Sequence, residues 1–171
     1  MKKVYSVVAI GLLLLTQFRP VMAEESKLEV VPYSTAQYFW WRQDSNTYLR
    51  TEANGGWINH GNPFYASKGQ SVCFTPQSTA PTIGIDISIA GEVLAGGISY
   101  TPGKNKTITR SLCDRPFSKN GNYLSQYGKM FAVYSIKQSK YYYEFGKDYY
   151  QYSKTGILKV NTIPRIRHVE R

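Results

Sequence analysis

The sequence predicts a mainly β protein: a single antiparallel β-sandwich or open β-barrel domain built of hairpins, with little helix beyond a cleaved leader. Three observations carry that expectation. β-branched and aromatic residues recur in short runs bounded by Gly, Pro, Asn and Asp, as strands between turns do. Residues 83–90 alternate, with Ile83, Ile85, Ile87 and Ile89 opposed to Gly84, Asp86 and Ser88, which is the period of a half-buried strand. Residues 140–154, KYYYEFGKDYYQYSK, set six tyrosines and one phenylalanine around a central glycine. No repeat or composition break divides the chain, and 171 residues suit one ordinary core.

At the N-terminus, Lys2 and Lys3 precede an apolar run from Val7 to Leu15, and Val21-Met22-Ala23 supplies small residues at a cleavage site. That is the pattern of a secretory signal peptide removed near Ala23. The apolar run falls short of the roughly 20 residues a membrane helix needs. The expected organisation is a signal peptide over 1–23 and one secreted domain over 24–171, from a source that the short leader marks as bacterial. Cys73 and Cys113 both lie in the exported part, where pairing is the default and removes a thiol nucleophile.

The first hairpin is expected in FWWRQDSNTYLRTE, with Asp44-Ser45-Asn46 as its turn between residues 39–42 and 47–50. A short helix capped by Ser34 or Thr35 is the alternative. As strand neighbours, Trp40 and Trp41 point to opposite faces, one of them into the core. NGGWINHGNPF reads as turn, short strand, turn, which leaves Trp57 a candidate exposed ring.

A meander follows: the isoleucine strand, a turn at Gly91-Glu92, a second strand over 93–101 with a bulge at Gly96-Gly97, and a third over 106–112. The disulfide then ties its two ends together. Residues 83–90 with 93–101 also approach the 9 to 11 residues per strand, roughly, of a membrane-spanning hairpin.

MFAVYSIK supplies a strand beside the tyrosine hairpin, with Met130, Ala132, Tyr134 and Ile136 on one side. Gly146-Lys147 suits a two-residue type II′ turn. That register aligns Tyr141, Tyr143, Phe145, Tyr150 and Tyr152 as a core-facing ladder and leaves Tyr142 and Tyr149 outside, beside Lys147. The tail alternates Ile163, Arg165, Arg167 and Val169, an edge strand blunted by Pro164 and charge. A phosphate or teichoic-acid contact by Arg165 and Arg167 is the alternative to that structural role.

The formal net charge of +10 is unevenly spread: residues 24–103 hold four basic and seven acidic residues, residues 104–171 fourteen and four. An anionic partner would be drawn to the second half. The chain lacks G-x-S-x-G, H-E-x-x-H and C-x-x-C, and no helix with Lys-Ser/Thr follows Gly96-Gly97 as a phosphate loop requires. No metal or cofactor is therefore expected. Asn105-Lys106-Thr107 fits a glycosylation sequon, which matters only in a host that glycosylates.

The expected function is non-catalytic binding of an anionic cell-surface component, a cell-wall polymer or a phospholipid surface, in an antimicrobial, toxin-like or adhesion role. Tyr142, Lys147, Tyr149, Trp57, Arg165 and Arg167 are its candidate residues. Two alternatives stand beside it. A secreted metal-independent nuclease would use His60 and His168 as base and acid on nucleic acid, and a pore-forming toxin would insert the hairpin of residues 83–101.

Overall fold

The computed structural model describes residues 36–171. The expected signal segment and the helix cap at Ser34 or Thr35 lie outside the described residues. Within them are ten strands and no helix: β1 (Tyr38–Ala66), β2 (Cys73–Phe74), β3 (Gln77–Pro81), β4 (Ile83–Ile85), β5 (Val93–Ala95), β6 (Ile98–Tyr100), β7 (Asn105–Thr109), β8 (Leu112–Cys113), β9 (Gly121–Glu144) and β10 (Lys147–Glu170). The protein is mainly β, its sheets are antiparallel, and no barrel closes.

β1, β9 and β10 are unusually long. At strand rise the 24 residues of β9 extend roughly 80 Å, where most strands stop near 10 residues. β9 lies between β1 and β10, so both of its edges are hydrogen-bonded. It also runs without a bulge, because each register shift puts the extra residue in a flanking strand. Those shifts fall at Gln43/Ser45, Tyr48/Arg50, Asn54/Trp57 and His60/Phe64 in β1, and at Tyr150/Tyr152 and Thr162/Arg165 in β10. Bulges bend and twist a strand, and on the outer edge of β1, unpaired among the described residues, they oppose pairing with another chain.

Three expected turns are thereby absorbed into β1. Asp44-Ser45-Asn46 closes no hairpin, because β9 pairs on either side of it. Asp44 is instead the bulged residue, accepting from Arg42 Nε at 2.9 Å and from the Ser139 hydroxyl. Gly55 (φ 82°) and Gly61 (φ 72°) sit at two further bulges rather than at turns. MFAVYSIK is likewise a stretch of β9 itself, not a separate neighbour of the tyrosine hairpin.

Residues 67–120 form a clasp over the middle of the long sheet. Side chains of even-numbered β9 residues share one face, those of odd-numbered residues the other. On the even face the β5–β6 hairpin lays Val93 and Ala95 on Ile136, Leu158 and Val160, all buried. The Gln43 side chain holds the hairpin's Leu94, accepting from its N–H (2.9 Å) and donating to its carbonyl (2.7 Å). On the odd face stand β3 and β7. There the buried Asn161 accepts from Ser78 Oγ (3.1 Å) and donates to the Ser78 and Lys106 carbonyls (both 2.8 Å), the full pairing a buried amide needs. β2 and β8 are joined by the Cys73–Cys113 disulfide.

The meander differs from expectation in three places. Only Ile83–Ile85 of the isoleucine run is strand, because β10 offers three pairing residues there and the chain turns away at Asp86 (φ 58°). Ile83 and Ile85 are exposed, while Ile87 and Ile89 pack against the core. Gly96-Gly97 is no bulge but the two-residue turn of β5–β6, with φ of 57° and 78°, the positive pair that a type I′ turn requires. The strands it joins have three residues each, too few for the roughly 9 to 11 that cross a bilayer. The expected third strand divides into β7 and β8, and β8 pairs with β2.

Candidate functional site

Beyond the clasp the three long strands continue, with no other described strand beside them, as a blade made of residues 38–42, 139–144 and 147–154. Its apex is the β9–β10 turn. Glu144 pairs with Lys147, so the central residues are Phe145 and Gly146, with φ of 47° and 78°. The expected Gly146-Lys147 turn is thus displaced by one residue, and a phenylalanine occupies the left-handed region that the turn demands.

That displacement and a bulge at Gln151 redistribute the rings. Tyr141 pairs with Tyr150, Tyr142 with Tyr149, and Lys140 with Tyr152. On the odd face Tyr38 stacks on Tyr143 at 4.8 Å and Trp40 on Tyr141 at 4.9 Å, while Tyr150 meets Tyr141 edge-on at 5.9 Å. The Trp40 indole donates to Asp148 Oδ1 at 2.8 Å, and the Arg42 guanidinium lies 4.9 Å from the Tyr141 ring centre.

On the even face Phe39 packs against Tyr142 and Trp41 against Tyr152. Lys140 Nζ stands 4.1 Å above Phe39 and 5.8 Å above Tyr152, and Lys154 Nζ 5.0 Å above Trp41. The even face is therefore a run of alternating rings and ammoniums, an arrangement that favours cations through the ring quadrupoles.

The expected core-facing ladder does not exist. Among the described residues nothing packs over the blade, so its rings cover one another across the strands. Phe145 is 64 % exposed, Phe39 58 % and Tyr150 57 %. Neither Trp40 nor Trp41 enters the core; both are half-buried, on opposite faces as alternation required. Of the sequence-predicted binding residues, Tyr142, Tyr149 and Lys147 all lie on the blade's even face beside the apex. Tyr149 is exposed and Tyr142 half-buried. Burial, and then Glu144, hold the Tyr142 phenol above its ordinary pKa, which keeps it neutral. Sequence reasoning missed Phe39, Trp41, Lys140, Tyr152, Lys154 and Phe145, because pairing across three strands and one bulge had to be known first.

Trp57, distant in sequence from Arg165 and Arg167, meets them on the even face far from the blade. Trp57 pairs with Gly128 and Gly128 with Arg165, making one row across the sheet. Asn59, Gln126 and Arg167 make the next. The two guanidinium carbons lie 4.5 Å and 4.0 Å from the Trp57 ring centre.

The two histidines are also brought to one face. His60 pairs with Ser125, which pairs with His168. His168 is, however, engaged at both ring nitrogens: Nδ1 with Ser125 Oγ at 3.0 Å and Nε2 with the Val72 carbonyl at 3.3 Å. The Phe74 ring stands against both imidazoles, 4.6 Å from His60 and 5.8 Å from His168. Ser125, unnoticed in the sequence, is buried beneath this aromatic box. An open groove of about 550 Å³ runs beside His60, lined by Asn59, Thr75, Gln77, Tyr127 and Lys129 among others, but not by His168. Lys129 spends its ammonium on the Thr79 carbonyl at 2.9 Å. A phenylalanine thus packs on both rings, which a base and an acid sharing a phosphate would need open to it.

Among the described residues no group of three or more His, Cys, Asp or Glu side chains is placed to hold a metal. Comparison with protein-family models, with curated proteins and with solved structures finds no match.

Proposed function

We propose that the protein is an exported binding domain that attaches to anionic phospholipid surfaces through its blade. The observation that carries this reading is a two-faced array of aromatic rings, uncovered among the described residues, with lysine ammoniums set among them and ending in an exposed phenylalanine. A contiguous apolar patch open to water is costly to keep and marks an interaction surface. Tyrosine, tryptophan and lysine each join an apolar body to a polar tip, which suits the boundary between acyl chains and headgroups.

Charge complements this chemistry. Lys140, Lys147 and Lys154 share the even face of the blade with Glu144 as its one acid, so anionic headgroups are favoured over neutral ones. At the apex, Phe145 holds a left-handed conformation that costs a bulky residue roughly 1–2 kcal/mol. Asparagine would form the same turn without that strain, so the ring is kept for a purpose other than folding. Export is supported by the leader-like N-terminus and by the disulfide, which belongs to an oxidising compartment. Antimicrobial, toxin-like and adhesive roles would each use such attachment.

Sedimentation with phosphatidylglycerol vesicles, with phosphatidylcholine vesicles and with isolated cell walls tests the reading. Retention on the anionic vesicles should exceed retention on the neutral ones and fall as salt is raised. Equal retention on both lipids rejects it, and retention on cell walls alone moves the partner to an anionic wall polymer.

A further inference from the structure

We infer that Arg165 and Arg167, arranged around Trp57, form a second and separate site that takes a phosphate group. It lies 14 residues along β9 from Tyr142, measured at Gly128, which is roughly 45 Å at strand rise. It uses no residue of the blade.

Two adjacent rows crossing three strands build it. In the first, Trp57 and Arg165 flank Gly128, and the missing side chain leaves a saddle in which the arginine lies flat. A Cβ on Gly128 would come within 2.6 Å of Arg165 Nε and 3.1 Å of its Cγ. In the second, Arg167 Nε donates to Gln126 Oε1 at 2.9 Å, and Gln126 Nε2 donates to Asn59 Oδ1 at 2.8 Å. That relay fixes the Arg167 plane and leaves its terminal nitrogens unspent in it.

Three facts together point to an anion. Both guanidiniums are orientated before any ligand arrives, one by the saddle and one by the relay, and Trp57 holds both. Both arginines are exposed. Neither forms an ion pair with a carboxylate among the described residues, and neither row contains an acid. Two planar forks fixed beside one another without a counter-charge match a tetrahedral oxyanion better than a single planar carboxylate. A role limited to blunting a strand edge needs charge, but neither saddle nor relay.

The test is titration of the oxidised full chain with inorganic phosphate, followed through the arginine Nε–Hε and tryptophan indole NMR signals. Saturable shifts at Arg165, Arg167 and Trp57 are expected, absent with sodium chloride at equal ionic strength. Gly128→Ala keeps every charge but displaces Arg165, and phosphate affinity should fall roughly tenfold, the loss of one charge-assisted contact. The R165Q/R167Q double variant should not saturate at all.

Phosphatidylglycerol vesicles form the second arm. Inorganic phosphate acting alone identifies a soluble phosphate source, whereas a Gly128→Ala effect seen only on vesicles identifies a lipid headgroup. Shifts that chloride reproduces, or wild-type affinity in Gly128→Ala in both arms, overturn the inference. Because the readout is local to residues 57, 128, 165 and 167, its failure is separable from failure of vesicle retention by the blade.

Discussion

The clasped middle of the long sheet and its free blade use the same three strands and reach opposite solutions. In the middle, β9 offers Ala132, Val133 and Ile136, side chains without polar atoms, and residues 67–120 cover both faces. In the blade, β9 offers Tyr141, Tyr142 and Tyr143, and none of the described residues covers either face. Small apolar side chains require a second layer to leave water. Large amphipathic rings shelter one another across strands and keep their hydroxyls wet. The contrast teaches that a sheet can run past its own core provided its rings form the layer that the core no longer supplies.

Removing the tie in the clasp should have the largest effect. Replacing both Cys73 and Cys113 by serine releases a cross-link spanning 40 residues, worth about 4 kcal/mol in the chain-entropy account. Urea denaturation should show that loss, and a midpoint unchanged from wild type would mean the clasp is held by packing alone. Ile136→Ala, at a fully buried position, should cost about 3 kcal/mol. Tyr143→Ala, which loses one stacked partner in the blade, should cost about 1 kcal/mol. Equal costs at the two sites would erase the distinction between core and blade.

The apex sharpens the comparison further. Phe145→Asn relieves the left-handed strain and creates Asn-Gly, a favoured type I′ sequence, so thermal denaturation should show about 1 kcal/mol of added stability. Retention on anionic vesicles should drop in the same variant. A variant that gains stability and loses nothing in retention would remove Phe145 from the binding surface.

The smallest effect lies where blade and clasp meet. The Ser139 hydroxyl, followed by Arg42, holds the Asp44 carboxyl below its usual range. A carboxyl depressed in the folded state contributes stability above its unfolded value and loses it as pH falls through the folded one. Wild type should therefore lose slightly more melting temperature than Asp44→Asn between neutral pH and pH values below the ordinary carboxylate range. Parallel curves would show that the bulge, not its charge, sets that junction.

Much of the fold was legible in the residues. β composition announced the class, and the two cysteines announced their bond. Alternation set Trp40 and Trp41 on opposite faces. The boundaries were not legible, because turn residues such as Asp44-Ser45-Asn46 and Gly55-Gly56 serve equally as bulges when a continuous neighbour pairs past them. The apex turn was misplaced by one residue for a related reason: a local rule disfavours phenylalanine at positive φ, and pairing along 24 residues of β9 and β10 overrules it.

The sequence by itself determined that the chain is a β protein with a disulfide, a basic second half and an aromatic hairpin, since composition and period two are local properties. Only the tertiary structure decided which face each ring takes. One bulge at Gln151 moves Tyr152 across the sheet to Lys140, and the reach of the clasp decides whether any face is core. The same holds for Trp57 and the Arg165/Arg167 pair, which no spacing in the chain relates to one another. Register across three strands joins them, and register is the sum of every bulge between them.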